Sequence, residues 1–305
     1  MRGTLLICLL VLCGCIARTV RIPQEDLRSV SLDGSICEYL EDKEGLSDVG
    51  VKQYQRSSTG SKLFISFSHR VGDERRDRTA IVTPNGIRTI PGYSYVYYDD
   101  QENPVFRIER FHEQYDDQGE IDQKYDEDAK IVFRNGLTLP RKGVSVRGIL
   151  GGDYVLLRFT NSAVWIVSKA EDPRQALFEL PRYFQPQHSY VTTNGMIFLG
   201  LQNYPSDSDY YGENCLLYEQ RAPGVFELAR EIRLAFAGGF YDMDPNSGQI
   251  LVGGDTSPFP AFYRYNIRTK HRTRLGFVPS DHVLFLKTEV VHTLHEAIRE
   301  ARKAK

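Results

Sequence analysis

From about Val49 to His292 the chain alternates short apolar runs with clusters of Gly, Asn, Asp and Pro, and helical periodicity is nearly absent. The runs are Lys62–Ser68, Thr79–Thr83, Tyr93–Tyr98, Val105–Phe111, Lys130–Phe133, Tyr154–Phe159, Val164–Val167, Met196–Leu201, Cys215–Glu219, Gln249–Val252 and Ala261–Tyr265. They are rich in Val, Ile, Phe, Tyr and Leu, the residues that fit a pleated and half-buried surface, so each is predicted to be a β-strand. The tail from Thr293 changes period. Leu294, Ala297, Ile298 and Ala301 fall on one side of a predicted short helix whose basic end suits a helix C-terminus.

The strands group in fours. First strands are expected near Val49, Tyr93, Val144, His188, Phe236 and His282, a spacing of about 44 to 50 residues that matches the blade period of β-propellers. The expected fold is therefore all-β, a propeller of about six four-stranded blades, with five as the competing count. The ends explain closure. The last group has Asp281–Lys287 and a second candidate strand at Val290–Thr293 and then runs out of strand, while Leu27–Leu32, a turn at Asp33–Gly34 and Ser35–Leu40 read as a hairpin. That hairpin is predicted to complete the last blade and remove the open sheet edges. The domains expected are a signal peptide at 1–14, a lipidated N-terminus and linker at 15–26, the propeller at 27–292 and the C-terminal helix at 293–305.

One stretch resembles a Kelch-type blade: Ile250–Gly254 ends in a Gly pair, followed by Phe262–Asn266, Thr269 and Thr273–Leu275. The late Trp of that pattern is missing, and the other groups lack the Gly pair. The resemblance covers one blade and implies a propeller, not membership of the family.

Blade geometry assigns each connection to a face. One face collects Ser57–Ser61, Pro84–Gly86, Asp100–Pro104, Asn135–Gly136, Gly151–Asp153, Asn194–Gly195, Ala222–Gly224, Asp244–Gly248 and Arg268–Lys270, nearly all tight turns by composition. The opposite face collects His69–Arg78, His112–Asp128, Pro181–His188, Asn203–Asn214 and Asp255–Pro260, read as longer loops. Long loops without their own secondary structure are where binding residues concentrate. The candidate binding residues on this face are His112, Tyr115, Tyr183, Phe184, His188, Tyr210, Tyr211 and Asp255. Rings beside carboxylates suit sugar or peptide recognition, because rings cover apolar faces while acids take polar groups.

Charge narrows the partners. A formal net charge of -2 offers no broad cationic field, which disfavours nucleic acid. The N-terminus adds an address. Arg2 precedes the apolar stretch Thr4–Leu12, of signal-peptide length and too short to span a bilayer as a helix. Leu12-Cys13-Gly14-Cys15 follows, and it resembles the lipobox of bacterial lipoproteins, with Cys13 where Ala or Ser is commoner. The resemblance implies cleavage before Cys15, lipid on its sulfur and residence in the cell envelope. Ile16, not Asp, follows Cys15, which by the enteric pattern implies the outer membrane facing the periplasm; a plain secreted product is the alternative. Cys37 and Cys215 would remain in the mature core, as a disulfide or as two buried thiols.

Candidate chemistry is sparse. Asp242–Gly248 and Gln114–Ile121 echo calcium loops, but neither has the full ligand spacing. His292 and His295, with Glu296, form an incomplete metal set. No phosphate loop or nucleophile elbow is present, so no catalytic residue, metal or cofactor is assigned. A glycoside hydrolase would need two facing carboxylates, for which Asp153, Asp242, Asp244 and Asp255 are the acids available. The expected function is a lipid-anchored envelope module that binds a protein or polysaccharide through the long-loop face; the alternative is a carbohydrate-active hydrolase with carboxylates at the channel.

Overall fold

The computed structural model describes residues 27–32, 35–72, 74–93, 95–109, 129–202, 214–233, 240–254, 261–276 and 282–304. Strand β1 (Leu27–Leu32) and helix α1 (Ser35–Glu44) precede five antiparallel four-stranded sheets. Blade one is β2 (Ser47–Arg56), β3 (Leu63–Val71), β4 (Glu74–Thr83) and β5 (Gly86–Pro91). Blade two is β6 (Tyr95–Tyr98), β7 (Pro104–Glu109), β8 (Lys130–Phe133) and β9 (Thr138–Pro140). Blade three is β10 (Val144–Ile149), β11 (Tyr154–Phe159), β12 (Ile166–Lys169) and β13 (Asp172–Glu179). Blade four is β14 (Phe184–Thr192), β15 (Gly195–Gln202), β16 (Asn214–Ala222) and β17 (Val225–Arg233). Blade five is β18 (Phe240–Asp244), β19 (Gln249–Gly254), β20 (Ala261–Asn266) and β21 (Arg272–Gly276). The chain ends with β22 (His282–Lys287) and helix α2 (Thr288–Ala304).

Strand order within every blade follows the chain, so the molecule is a β-propeller of consecutive meanders. The expected phase holds where it can be compared: Val49, Val144, His188 and His282 fall in β2, β10, β14 and β22, and Tyr93 falls two residues before β6, while Phe236 lies outside the described residues. The Kelch-like stretch forms the last three strands of blade five. Each blade buries one face on the next. Phe64 and Ile81 meet Val96 and Tyr98 between blades one and two. Phe106 and Ile131 meet Val155 and Leu157 between two and three. Ile149, Leu156 and Val167 meet Phe184 and Phe198 between three and four, and Leu199 and Leu217 meet Met243 and Ile250 between four and five.

Closure differs from the expected hairpin. β1 pairs antiparallel with β22 from Leu27↔Lys287 to Leu32↔His282, so the chain's beginning zips onto its end. Residues Ser35–Glu44, however, form helix α1 rather than a strand over Ser35–Leu40, and the Asp33–Gly34 turn lies outside the described residues. The run SICEYL fits either period over so short a length, and the Glu41-Asp42-Lys43-Glu44 that follows favours the helix. Ile36 and Leu40, one turn apart, go into the core beside Leu63, Phe67 and Leu286. Helix α2 starts at Thr288, five residues before the expected Thr293, and Val290, Leu294 and Ala301 are buried on its inner face. The ring thus has five four-stranded blades, and a two-stranded sheet backed by two helices stands in place of a sixth. Among the described residues no helix is long and apolar enough to cross a membrane.

Two stretches expected as loops are strand. His69–Arg78 belongs to a ladder that continues from Leu63↔Val82 to Val71↔Glu74 and reverses beside Gly72, which has φ 63°. Its alternating charges hid a ladder whose pairing is made by the backbone; Arg75 meets Asp48 at 2.6 Å. Pro181–His188 is mostly β14, where a register shift between Pro186 and His188 accommodates the proline. Cys37 is a free, half-buried thiol on α1, and burial pushes its pKa up.

Candidate functional site

The inner strands converge near the tight-turn face, and the chemistry found there is structural. Arg56 ends β2 with a side chain only 1% exposed. All five of its N–H groups are used. Nε donates to Asp242 Oδ2 at 2.6 Å, Nη1 to the carbonyls of Ser57 and Ser58 at 3.0 and 2.8 Å, and Nη2 to Tyr190 Oη at 3.1 Å and Met243 O at 2.6 Å. Asp242 on β18 is equally saturated. Its Oδ1 accepts from Tyr190 Oη and the Met243 amide, both at 2.7 Å, and its Oδ2 also accepts the Phe285 amide of β22 at 2.8 Å. Burial alone would depress the Arg56 guanidinium pKa, but the Asp242 charge outweighs it and the net direction is up. Burial, reinforced by Asp242, holds the Tyr190 phenol well above its ordinary range.

This network joins blades one, four and five to the closing strand. Backbone mimicry extends it: Gln55 donates to Tyr98 O at 2.6 Å and accepts the Tyr98 amide at 2.9 Å, binding blade one to blade two. Blades three and four share Leu150 N to Ser189 O at 2.9 Å and Val191 N to Leu150 O at 2.8 Å. Asp244, the next acid, accepts the amides of Asn246 and Ser247 at 3.0 and 3.3 Å and so caps a turn rather than a calcium loop. Asp153 sits exposed in the β10–β11 turn, 3.3 Å from Arg134. His292 pairs with Glu296 at 3.3 Å on the outer side of α2, and His295 is exposed.

The opposite face has a different character between blades three and four. The β10–β11 turn lies on the tight-turn face, so Val144, Phe159, Trp165 and the start of β14 all lie toward the other. Ser145 pairs with Arg158 and Arg147 with Leu156, which puts Arg147 and Arg158 diagonally on one side of blade three, facing blade four. Trp165, immediately before β12, lies against both guanidiniums, with Arg147 Cζ 5.3 Å and Arg158 Cζ 5.2 Å from its ring centroid. Gln185 Oε1 accepts from Trp165 Nε1 and from Arg158 Nη1, each at 3.1 Å. Arg147 Nη1 donates to Pro186 O across the blade boundary. Among the described residues neither arginine forms an ion pair with an acid.

Of the candidate binding residues, three lie in the described part. Tyr183 occupies the turn before β14, with φ 63°, its amide on Ala163 O at 2.8 Å and Arg182 over its ring. Phe184 is fully buried, edge-on to Tyr218 at 4.9 Å, and packs the cleft between blades three and four rather than lining a surface. His188 sits at the β14 register shift, and its Nε2 is buried without a hydrogen-bond partner among the described residues. Cys15, His112, Tyr115, Tyr210, Tyr211 and Asp255 lie outside the described residues. Arg147, Arg158 and Trp165 lie on or beside strands, outside the loops where composition places binding chemistry. Their signal is an arginine inside each of two mostly apolar strands, VSVRGI and YVLLRF, in a chain with a single Trp close by in sequence.

Burial depresses the His188 pKa, and Arg56 and Arg147 add to it while Asp242 and a hydrogen bond with the Phe240 backbone oppose it. The unfolded chain therefore takes up a proton at His188 at a pH where the folded chain does not. Stability is full above about pH 6.5, the ordinary imidazole value, and is lost as pH falls through the depressed one. His69, also depressed chiefly by burial, acts in the same direction. His188→Gln is expected to flatten part of the acid side of the stability profile, read as urea midpoints between about pH 7.5 and 5.5; an unchanged slope would refute this assignment.

No family model matches this chain, and no curated protein matches it in sequence. Solved structures do align. The acylaminoacyl peptidase of Pyrococcus horikoshii is 10% identical with a TM-score of 0.41, over 74% of this chain and 39% of that one. The β-propeller domain of the Trilobed protease from Pyrococcus furiosus is 11% identical with a TM-score of 0.39, over 74% of this chain and 71% of that one. Oligogalacturonate lyase from Vibrio parahaemolyticus is 11% identical with a TM-score of 0.38, over 70% of this chain and 65% of that one. This chain spans 39% of the length of the peptidase.

Proposed function

We propose that this protein is a lipid-anchored cell-envelope propeller that binds a protein or polysaccharide partner through the face opposite its tight turns. The observation that carries the reading is the contrast between the two ends of the ring. At the tight-turn end, two of the acids available for cleavage are consumed: Asp242 accepts four hydrogen bonds and Asp244 closes its own turn. An acid–base pair for glycoside cleavage needs carboxylates free to meet substrate and water, and these two are not. At the other end, two guanidiniums face the cleft between blades three and four without an acid among the described residues. That is the pattern of a recognition surface, where unspent donors await a partner.

The anchor and the binding face have separate tests. A palmitate analogue fed to cells is expected to label the wild type and not Cys15→Ser; equal labelling of both would remove the anchor. For the face, the protein is incubated with purified envelope polysaccharides and with peptidoglycan fragments. Tyr210→Ala with Tyr211→Ala is expected to weaken retention at least tenfold, whereas Asn194→Ala on the tight-turn face leaves it unchanged. Turnover of any of these ligands, or equal losses from both faces, would overturn the binding reading.

A further inference from the structure

We infer that the edge between blades three and four is an oxyanion site, in which Arg147 and Arg158, held beside Trp165, take a carboxylate or phosphate group of the ligand. This rests on the reading that this face binds, and it names the chemistry of what is bound.

The first argument is donor inventory. The hydrogen bonds of both guanidiniums run from Nη1: Arg158 to Gln185 Oε1, Arg147 to Pro186 O and, at 3.5 Å, to Gln187 Oε1. Among the described residues the Nε and Nη2 groups of each have no protein acceptor. That Nε–Nη2 edge is one of the two sides on which guanidinium meets a planar oxyanion in two parallel bonds. Other strand arginines do reach an acid: Arg56 Nε meets Asp242 and Arg107 meets Glu109.

The second argument is preorganisation. Trp165 is 2% exposed, its indole N–H is tied to Gln185 and its ring lies against both guanidiniums. A ligand arriving here meets side chains whose planes are already set, which removes part of the ordering cost of binding. The third is charge. Two cations share one ring with no compensating anion among the described residues, an arrangement that an incoming oxyanion relieves. Burial, and then the Arg158 charge, lower the Arg147 pKa, which is the signature of that strain.

Trp165 is the only tryptophan of the chain, so its emission reports on this site alone. The full mature protein is titrated with inorganic phosphate and, separately, with acetate, at ionic strength held constant with sodium chloride. A saturable change in emission is expected, and its midpoint is expected to move at least tenfold higher in Arg158→Gln and in Arg147→Gln, each checked for an unchanged far-ultraviolet circular dichroism spectrum. The anion that saturates first identifies the group recognised. No saturable change in the wild type overturns the site without recourse to any variant, and so does a midpoint that folded variants leave in place. Polysaccharide retention that survives in a protein without the emission response would sink the oxyanion site and spare the binding face. An emission response that persists when retention is absent would do the reverse.

Discussion

Replacing Asp242 with alanine is expected to cost about 3–5 kcal/mol of folding free energy, because it strands a buried charge. The Arg56 side chain is 1% exposed, so water cannot take over what the carboxylate does. The same substitution removes the acceptor of Tyr190 Oη and of the Met243 and Phe285 amides. Each buried donor left without a partner adds to the loss by about 1–3 kcal/mol, discounted where the chain relaxes. Since Phe285 belongs to the closing strand, part of the damage falls on the seam where β22 meets β18. Urea denaturation gives the midpoint shift, and high salt should not rescue the wild-type advantage, as a buried pair is little screened. An exposed pair such as Lys43–Glu300, with side chains 49% and 62% exposed, supplies the control: Glu300→Ala is expected to be close to neutral. The decisive measurement is the double variant Arg56→Met with Asp242→Leu. Removing both charges leaves neither stranded, so it should be more stable than Asp242→Ala alone. Additive losses in that cycle would mean that the two side chains contribute separately and that the network is not a unit.

The ring was legible in the chain because strands have a length, a composition and a spacing, and all three were present. The phase of the six inner strands could be read because Val144, His188 and His282 each follow turn-forming residues at one blade period from the last. What could not be read followed from physics that works at longer range. Helix α1 and the expected strand Ser35–Leu40 share an apolar pattern too short to separate the two periods, and only packing of Ile36 and Leu40 against blade one decides between them. The β3–β4 ladder was masked by its own charges, since polarity says loop while backbone pairing is indifferent to it. Phe184 stands in a stretch whose prolines and polar residues predict a loop, yet it is a core residue of the β14 start. The Arg56–Asp242 pair joins residues 186 apart in sequence, and no local signal marks such partners. The same holds for Arg147 and Arg158, whose meaning depends on which side of β10 and β11 each one takes.

Gly200→Ala is expected to be nearly as damaging as the loss of Asp242, although it adds a single methyl group. A β-carbon at this position would lie 2.1 Å from Gln185 O and 2.8 Å from Pro186 Cα, both backbone atoms with no rotamer to give way. Gly200 stands opposite Pro186 in the β14–β15 ladder, next to the register shift that brings His188 opposite Leu199. The proline and the shift bring the two backbones close, and glycine is the residue that permits the approach. Elsewhere in a strand, alanine for glycine would gain about 0.5–1 kcal/mol from the unfolded state. Here the clash should reverse the sign and cost about 3 kcal/mol, at the upper end of ordinary overpacking. The consequence reaches beyond stability. Relief requires β14 to move away from β15, which shifts Gln185, the shared acceptor of Trp165 and Arg158, and Pro186, the acceptor of Arg147. Gly200→Ala should therefore change Trp165 emission in the native state before any denaturant is added, while a control at Gly136→Ala, in the β8–β9 turn, should change stability alone. A destabilised Gly200→Ala with native emission identical to wild type would show that β14 absorbs the methyl group without moving the arginines.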